Sequence, residues 1–241
     1  MFVEFLTKND FRDEYLRFFN ARFTIGNMEM EDKKTDVSSP KRSMEFFTNM
    51  KAFNEILKAN PDRISPYDLI DIANSVNNEQ YGKGFRKRPV DVPKAKHFEP
   101  MNARYIPEAM YSLFKNYHEV WTDLDVYERE ARLHIEIVRI QPFEDGNKRS
   151  ARILTNFNLL KNNKAPIVIP ASQTDEYFDY IDNYDVEGLA ELFRQKSNEE
   201  LDVMMNLYQK MNMSDSFVDV ASEDSDIKLY KFVREQKKQD N

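Results

Sequence analysis

A chain of 241 residues with 41% hydrophobic and 13% aromatic content can bury a sizeable core. A formal net charge of -7 excludes a general polyanion-binding surface, and the absence of cysteine excludes disulfides, thiol catalysis and Cys-ligated zinc. Only 5 glycines against 32% charged residues favour a mostly helical protein over a sandwich or barrel. Three histidines, His97, His118 and His134, lie far apart with no metal-ligand spacing. Residues 1–6 do not read as a signal peptide, and no apolar run approaches membrane-spanning length. The expectation is a cytoplasmic, acidic, all-α chain with neither nucleic acid nor membrane as partner.

In chain order, Phe11, Tyr15, Phe18 and Phe19 recur at helical spacing and predict a helix over about 10–22. A polar stretch over 28–41 reads as a loop, followed by a helix over 43–59 carrying Phe47, Met50 and Leu57. Ser65-Pro66-Tyr67-Asp68 is a helix start, with Ser as N-cap, Pro in the first turn and an acid near the positive end of the dipole. That helix should reach Val76. Residues 81–105 contain Gly82, Gly84, Pro89, Pro93 and Pro100, and read as a hairpin or flap. Helices resume over 107–121 and 125–140, the second apolar on more than one face and so destined for the centre of a bundle. Further helices are predicted over 147–161, 175–183, 186–196 (capped by Asp185) and 198–211. The tail 214–241 is polar, with a weak closing helix around Leu229, Phe232 and Val233.

The informative segment is Gln141-Pro142-Phe143-Glu144-Asp145-Gly146-Asn147-Lys148-Arg149-Ser150-Ala151-Arg152. It joins the central helix to the next one through a tight turn that Gly146 permits. Backbone N–H groups at the new helix's start are unsatisfied and form an anion site. Lys148, Arg149 and Arg152 add positive charge, the two arginines one turn apart on one face. Asp145 just before them is the kind of carboxylate that a Mg²⁺ ion bridging phosphates requires. Asp-Gly-Asn is equally an ordinary helix-start turn, and first-turn cations are often merely solvated.

This string resembles the signature of the Fic family, His-x-Phe-x-(Asp/Glu)-Gly-Asn-(Gly/Lys)-Arg-x-x-Arg, at every fixed position except the first. Gly84-x-Arg86, Val90, Val92, His97-Phe98, Pro100 and Pro107 resemble that family's flap and the helix after it, so the likeness spans about 40–195. It implies a helical bundle over 41–213 with a small β-hairpin flap, transferring AMP from ATP to a protein hydroxyl. By the resemblance, Asp145 holds Mg²⁺, and Gly146 and Asn147 build the hole for the α-phosphate. Lys148, Arg149 and Arg152 meet the phosphates, and Phe143 anchors the loop. Lys148 stands where adenylylating members commonly carry Gly. Flap residues around His97 and Phe98 would pair with an extended segment of the target protein.

Gln141 stands where the family has the histidine that takes the proton from the target hydroxyl. An amide has no useful basicity, and general-base help is worth about 10²–10⁴-fold in rate, so the reading is an impaired transferase scaffold or an inactive nucleotide-binding or protein-interaction module. His134, two turns back, is too distant to substitute and reads as a satisfied core residue. Within residues 1–40, Ala21-Arg22-Phe23-Thr24-Ile25-Gly26-Asn27 resembles the end of the family's inhibitory helix, with Ile25 at the position of its glutamate. Ile25 cannot pair with Arg152, so Gln141→His alone should release activity. Gly26-Asn27 is also explained as a simple helix C-cap.

Overall fold

The computed structural model describes residues 9–31, 40–78, 80 and 83–212. Over these residues the chain is all-α, with helices α1 (Asn9–Glu31), α2 (Pro40–Ala59), α3 (Pro66–Val76), α4 (Ile106–Glu119), α5 (Val126–Ile140), α6 (Asn147–Lys161), α7 (Thr174–Asp182) and α8 (Val186–Asn212). Short 3-10 turns at Ala103–Tyr105 and Ala171–Gln173 lead into α4 and α7. The polar tail and its weak closing helix lie outside the described residues.

Helices α5 and α6 form the centre, as the two-sided apolar pattern requires. Ala131, Leu133, Ile135, Ile137 and Val138 of α5 face Ile153, Leu154, Phe157 and Leu159 of α6 in one continuous core. Several of the polar groups buried with them are bonded to one another or to the backbone. His134 meets the Thr155 hydroxyl through Nδ1 at 3.0 Å and the Tyr177 hydroxyl through Nε2 at 2.7 Å. Glu130 accepts from the Tyr117 hydroxyl at 2.5 Å and the Asn158 amide at 2.7 Å. Asn156 closes a two-way amide pair with the Ile167 backbone, at 3.0 and 2.6 Å, which fastens the chain beyond α6 to the core. The start of α3 is as expected: Ser65 and Asp68 form a reciprocal capping box with Pro66 in the first turn.

Helix α1 packs a row of aromatics, Phe11, Tyr15, Phe19 and Phe23, into the same core. Each such side chain contributes about 1.5–3 kcal/mol of burial. Its far side is tied to α8, where Glu200 accepts from the Tyr15 hydroxyl at 3.1 Å and from Arg22 at 3.0 and 2.9 Å.

Three expectations about the elements are corrected. Helix α1 does not end near residue 22 but runs through Gly26 and Asn27 to Glu31. Gly26 is not a C-cap; a Cβ there would lie 3.3 Å from the Ile169 carbonyl, so glycine admits the close crossing of helix and chain. The two helices expected over 186–211 are one, α8. Ser197, expected to mark a break, is buried mid-helix, donating to Ala165 O at 2.7 Å and accepting from the Tyr127 hydroxyl at 2.9 Å. The flap is not a hairpin among the described residues: positions 83–102 form turns with no strand. Pro89, Pro93 and Pro100 each lack the N–H that a ladder needs. Arg86 does the binding instead. Its backbone N–H donates to Pro142 O at 2.9 Å, and its guanidinium to the carbonyls of Gln141 (2.6 Å), Arg88 (2.7 Å) and Met101.

Candidate functional site

The loop between α5 and α6 is shaped by two left-handed residues. Gln141 ends α5 at φ 52°, ψ 64°, and Gly146 opens α6 at φ 78°, ψ 9°. Position 146 requires glycine twice over, for its positive φ and because a Cβ would meet Asn77 at 3.0 Å. Asn77, the C-cap of α3, donates to Asp145 O at 2.8 Å and pins the loop from outside. Asn147 holds it from inside, accepting from Phe143 N at 2.8 Å and donating to Phe143 O at 2.9 Å. Phe143 is buried 5.9 Å from the Phe85 ring, the anchor the sequence predicts. The N-cap residue of α6, Gly146, supplies no side-chain cap to the amides of the first turn.

Gln141 is buried and its amide is fully committed. Nε2 donates to Val138 O at 2.7 Å, and Oε1 accepts from Asn147 Nδ2 at 2.8 Å. His134 is pushed down to a pKa of about 3 by burial and the Arg152 charge, so it is a neutral core group, as expected.

The three cations of the motif converge, and each already meets an acid. Arg149 pairs with Asp145 at 2.9 Å and Glu45 of α2 at 3.2 Å. Lys148 and Arg152 both pair with Glu31, each at 3.2 Å. Arg152 Nε also donates to Asn27 Oδ1 at 2.6 Å, and its guanidinium lies 5.6 Å from the Tyr177 ring. Burial alone would raise the Glu31 carboxyl; the charges of Arg152, Lys148 and Arg149 outweigh it and hold its pKa below the ordinary value. Even so, Nη1 of Arg152 and Nδ2 of Asn27 are buried with no hydrogen-bond partner in the chain. The expectation that Arg152 lacks an acidic partner is thereby corrected. Ile25 does pack away, against Ala21, Met28 and Phe46, but Glu31 reaches Arg152 from farther along the same helix. No local signal marks Glu31, since its partners lie more than a hundred residues away in the chain.

A cleft of about 600 Å³ opens beside the loop, lined by Glu31, Arg42, Glu45, Asn77, Asp145 and Arg149 among others. Asp145 is half-exposed at its edge, with Oδ1 accepting from Gly146 N at 2.6 Å. No cluster of three or more His, Asp or Glu side chains among the described residues could hold a metal unaided. A single exposed carboxylate does suit Mg²⁺, which takes most of its oxygens from water and phosphate. His97 and Phe98 lie against Asp182 of α7 and Arg139 of α5. Asp182 accepts from the N–H groups of Lys96 and His97 at 2.9 and 3.0 Å and meets His97 Nδ1 at 3.1 Å, while Phe98 packs 4.8 Å from the Arg139 guanidinium.

A left-handed loop thus leads onto a cation-lined helix N-terminus at the centre of a helical bundle. Residues 63–159 match the family model described as "Fic/DOC family". It is 28% identical over 125 residues to protein adenylyltransferase fic-1 of Caenorhabditis elegans, covering 51% of this chain and 24% of that protein. To protein adenylyltransferase Fic of Aedes aegypti it is 30% identical over 76 residues, 29% of this chain and 15% of that protein. These matches span about a quarter or less of the curated relatives. Among solved structures, a Fic domain containing signaling protein from Bacteroides thetaiotaomicron superposes with a TM-score of 0.71 at 20% identity, over 82% of this chain and 90% of that one. A fragment of C. elegans Fic-1 gives 0.65 at 19%, over 82% and 68%. At such identities the structural likeness establishes the fold alone. No helix among the described residues is long and apolar enough to cross a membrane.

Proposed function

We propose that this chain is a Fic-type scaffold for AMP transfer from ATP to a protein hydroxyl, impaired at proton removal. In that reaction the target oxygen bonds to the α-phosphorus, the bond to pyrophosphate breaks, and the hydroxyl proton must go to a base. The amide of Asn147, with that of Gly146 released from Asp145 Oδ1, receives the α-phosphate, and Lys148, Arg149 and Arg152 meet the remaining charge. Asp145 would hold Mg²⁺, which offsets phosphate charge when bound. The observation that carries the reading is the state of residue 141: at the position of the family's base stands an amide with both ends bonded within the loop. It can neither accept a proton nor easily turn towards a hydroxyl.

The same observation, with Glu31 across Arg152 and Lys148, favours a second reading, a nucleotide-binding or protein-interaction module without transfer. Calorimetry with Mg-ATP tests the part common to both. The parent should bind, and Arg152→Ala should weaken binding by about 1–3 kcal/mol, the scale for a lost charge-assisted hydrogen bond. A parent that binds no ATP would reject the site.

A further inference from the structure

Two buried donors in the cation cluster of α6 stand without an acceptor among the described residues: Nδ2 of Asn27 and Nη1 of Arg152. The two residues are 2% and 3% exposed. Buried polar groups are ordinarily hydrogen-bonded, because burial strips their water away. The Asn27 amide cannot repair this by turning over. Its Oδ1 accepts from Arg152 Nε at 2.6 Å, and a flipped amide would set one N–H against another. Nε and Nη2 share one edge of the planar guanidinium fork, so the acceptors on them are neighbours. On Nη2 sits Oε1 of Glu31, 3.2 Å away, and the other oxygen of that carboxylate meets Lys148 Nζ, also at 3.2 Å. Glu31 thus engages one donor with each oxygen and leaves the adjacent Nδ2 of Asn27 unbound.

We propose that Asn27 is a phosphoryl-binding residue, its Nδ2 donating to the third oxygen of a terminal phosphoryl group whose other two replace the Glu31 carboxylate on Arg152 and Lys148. A carboxylate has two oxygens in one plane and matches two of these donors. A terminal phosphoryl has three at the corners of a pyramid and matches three, with more charge to set against the two cations. Asn27 therefore acts twice: Oδ1 orients the guanidinium and Nδ2 selects a phosphoryl over a carboxylate. Helix α1 becomes one wall of the anion site, and Glu31 a two-oxygen substitute for its ligand. The ligand's chemistry is common to the end of a nucleotide and to free inorganic phosphate. Assigning it to ATP rests on the proposed function; the phosphoryl site itself does not.

Calorimetry and thermal melts of the full chain with inorganic phosphate, acetate at equal ionic strength, and Mg-ATP test this. Phosphate should bind the parent and raise its melting temperature, and acetate should not. Asn27→Ala, which removes the donor without adding charge, should weaken phosphate by about tenfold. Asn27→Asp keeps an acceptor for Arg152 Nε, so it should melt no lower than the parent, yet lose phosphate at least as severely. A purely structural Asn27 would predict the reverse, with binding retained in Asn27→Asp. Mg-ATP weakened about tenfold by both substitutions would make the ligand a nucleotide's end; Mg-ATP unaffected, with phosphate lost, would make it free phosphate. Equal phosphate and ATP binding by parent and Asn27→Asp would overturn the proposal. So would a parent indifferent to both ligands, which would mean that water alone meets Nδ2. Phosphate binding that depends on Asn27, with no ATP bound, would count against the transferase reading alone.

Discussion

Glu31, in the last turn of α1, lies 3.2 Å from Arg152, at the sixth position of α6, and the same carboxylate takes Lys148. Two of the three cations suited to phosphate are thus held by one internal acid. Glu31→Gln should therefore tighten Mg-ATP binding by about tenfold, since the ligand no longer displaces a charge pair. It should also lower the melting temperature without ATP, because Arg152 is left buried without an opposing charge. Calorimetry and a thermal melt with and without nucleotide read both effects; unchanged affinity would place the nucleotide's phosphates elsewhere.

The pairing alters what is expected at residue 141. Substituting His supplies a base worth at least about 10²-fold in transfer of labelled AMP once Arg152 is free of Glu31, the lower range for general-base catalysis. With Glu31 across Arg152, Gln141→His alone should fall short of that, and the full rise should need Glu31→Gln as well. Equal transfer by the parent and both variants would show that another group takes the proton.

Arg86 ties together the ends of the irregular segment and the Gln141 carbonyl. Arg86→Ala removes donors from several carbonyls at once and should destabilise the chain by about 2–4 kcal/mol in denaturant unfolding. Arg86→Lys should recover little, because one ammonium cannot reproduce the planar fork. A loss below about 0.5 kcal/mol would mean that the loop is held by other contacts.

Burial raises the Glu130 carboxyl to a pKa of about 7, against the hydrogen bonds from Tyr117 and Asn158 that favour the ionised form. Unfolded, the group ionises near 4.5. Between these values the folded chain holds a proton that the unfolded chain releases, so stability from this group is lost as pH rises from about 4.5 to 7. The loss amounts to about 3 kcal/mol. Glu130→Gln, which mimics the protonated form, should have its greatest advantage over the parent above pH 7 and little below 4.5. His134 works the other way: its lowered pKa costs stability as pH falls from 6.5 towards 3. Melting temperatures of parent and variant across this range decide the matter; a difference independent of pH would mean that Glu130 stays ionised throughout.

How much of this was legible in the sequence depended on how local the determining contacts are. The loop from Gln141 to Arg152 could be read because its residues are contiguous, and left-handed turns and uncapped amides follow from Gly146 and the helix start. The boundaries of α3, α5 and α6 were equally plain, set by Ser65, Asp125 and the turn itself. The course of α1 past Gly26 was not, because the reason for glycine there is the close approach of the Ile169 carbonyl, far away in sequence. The unbroken α8 depends in the same way on Ser197 finding Ala165 and Tyr127. The flap misled because Val90 and Val92 look like strand residues, while Arg86 organises the segment through side-chain bonds to carbonyls.

The anchoring of α1 bears on how a nucleotide could gain entry. Tyr15 and Arg22 are fastened to Glu200, and Asn20 reaches Met50 O and Asn54 on α2 at 3.0 and 3.1 Å. The helix cannot swing aside as a rod without breaking all of these together. Gly26 sits between that fixed part and the short run bearing Asn27 and Glu31, and apart from proline no residue disfavours the helical state more than glycine. Clearing Arg152 therefore asks only for the terminal turn to unravel, which makes access to the site a matter of local fraying and leaves the bundle whole.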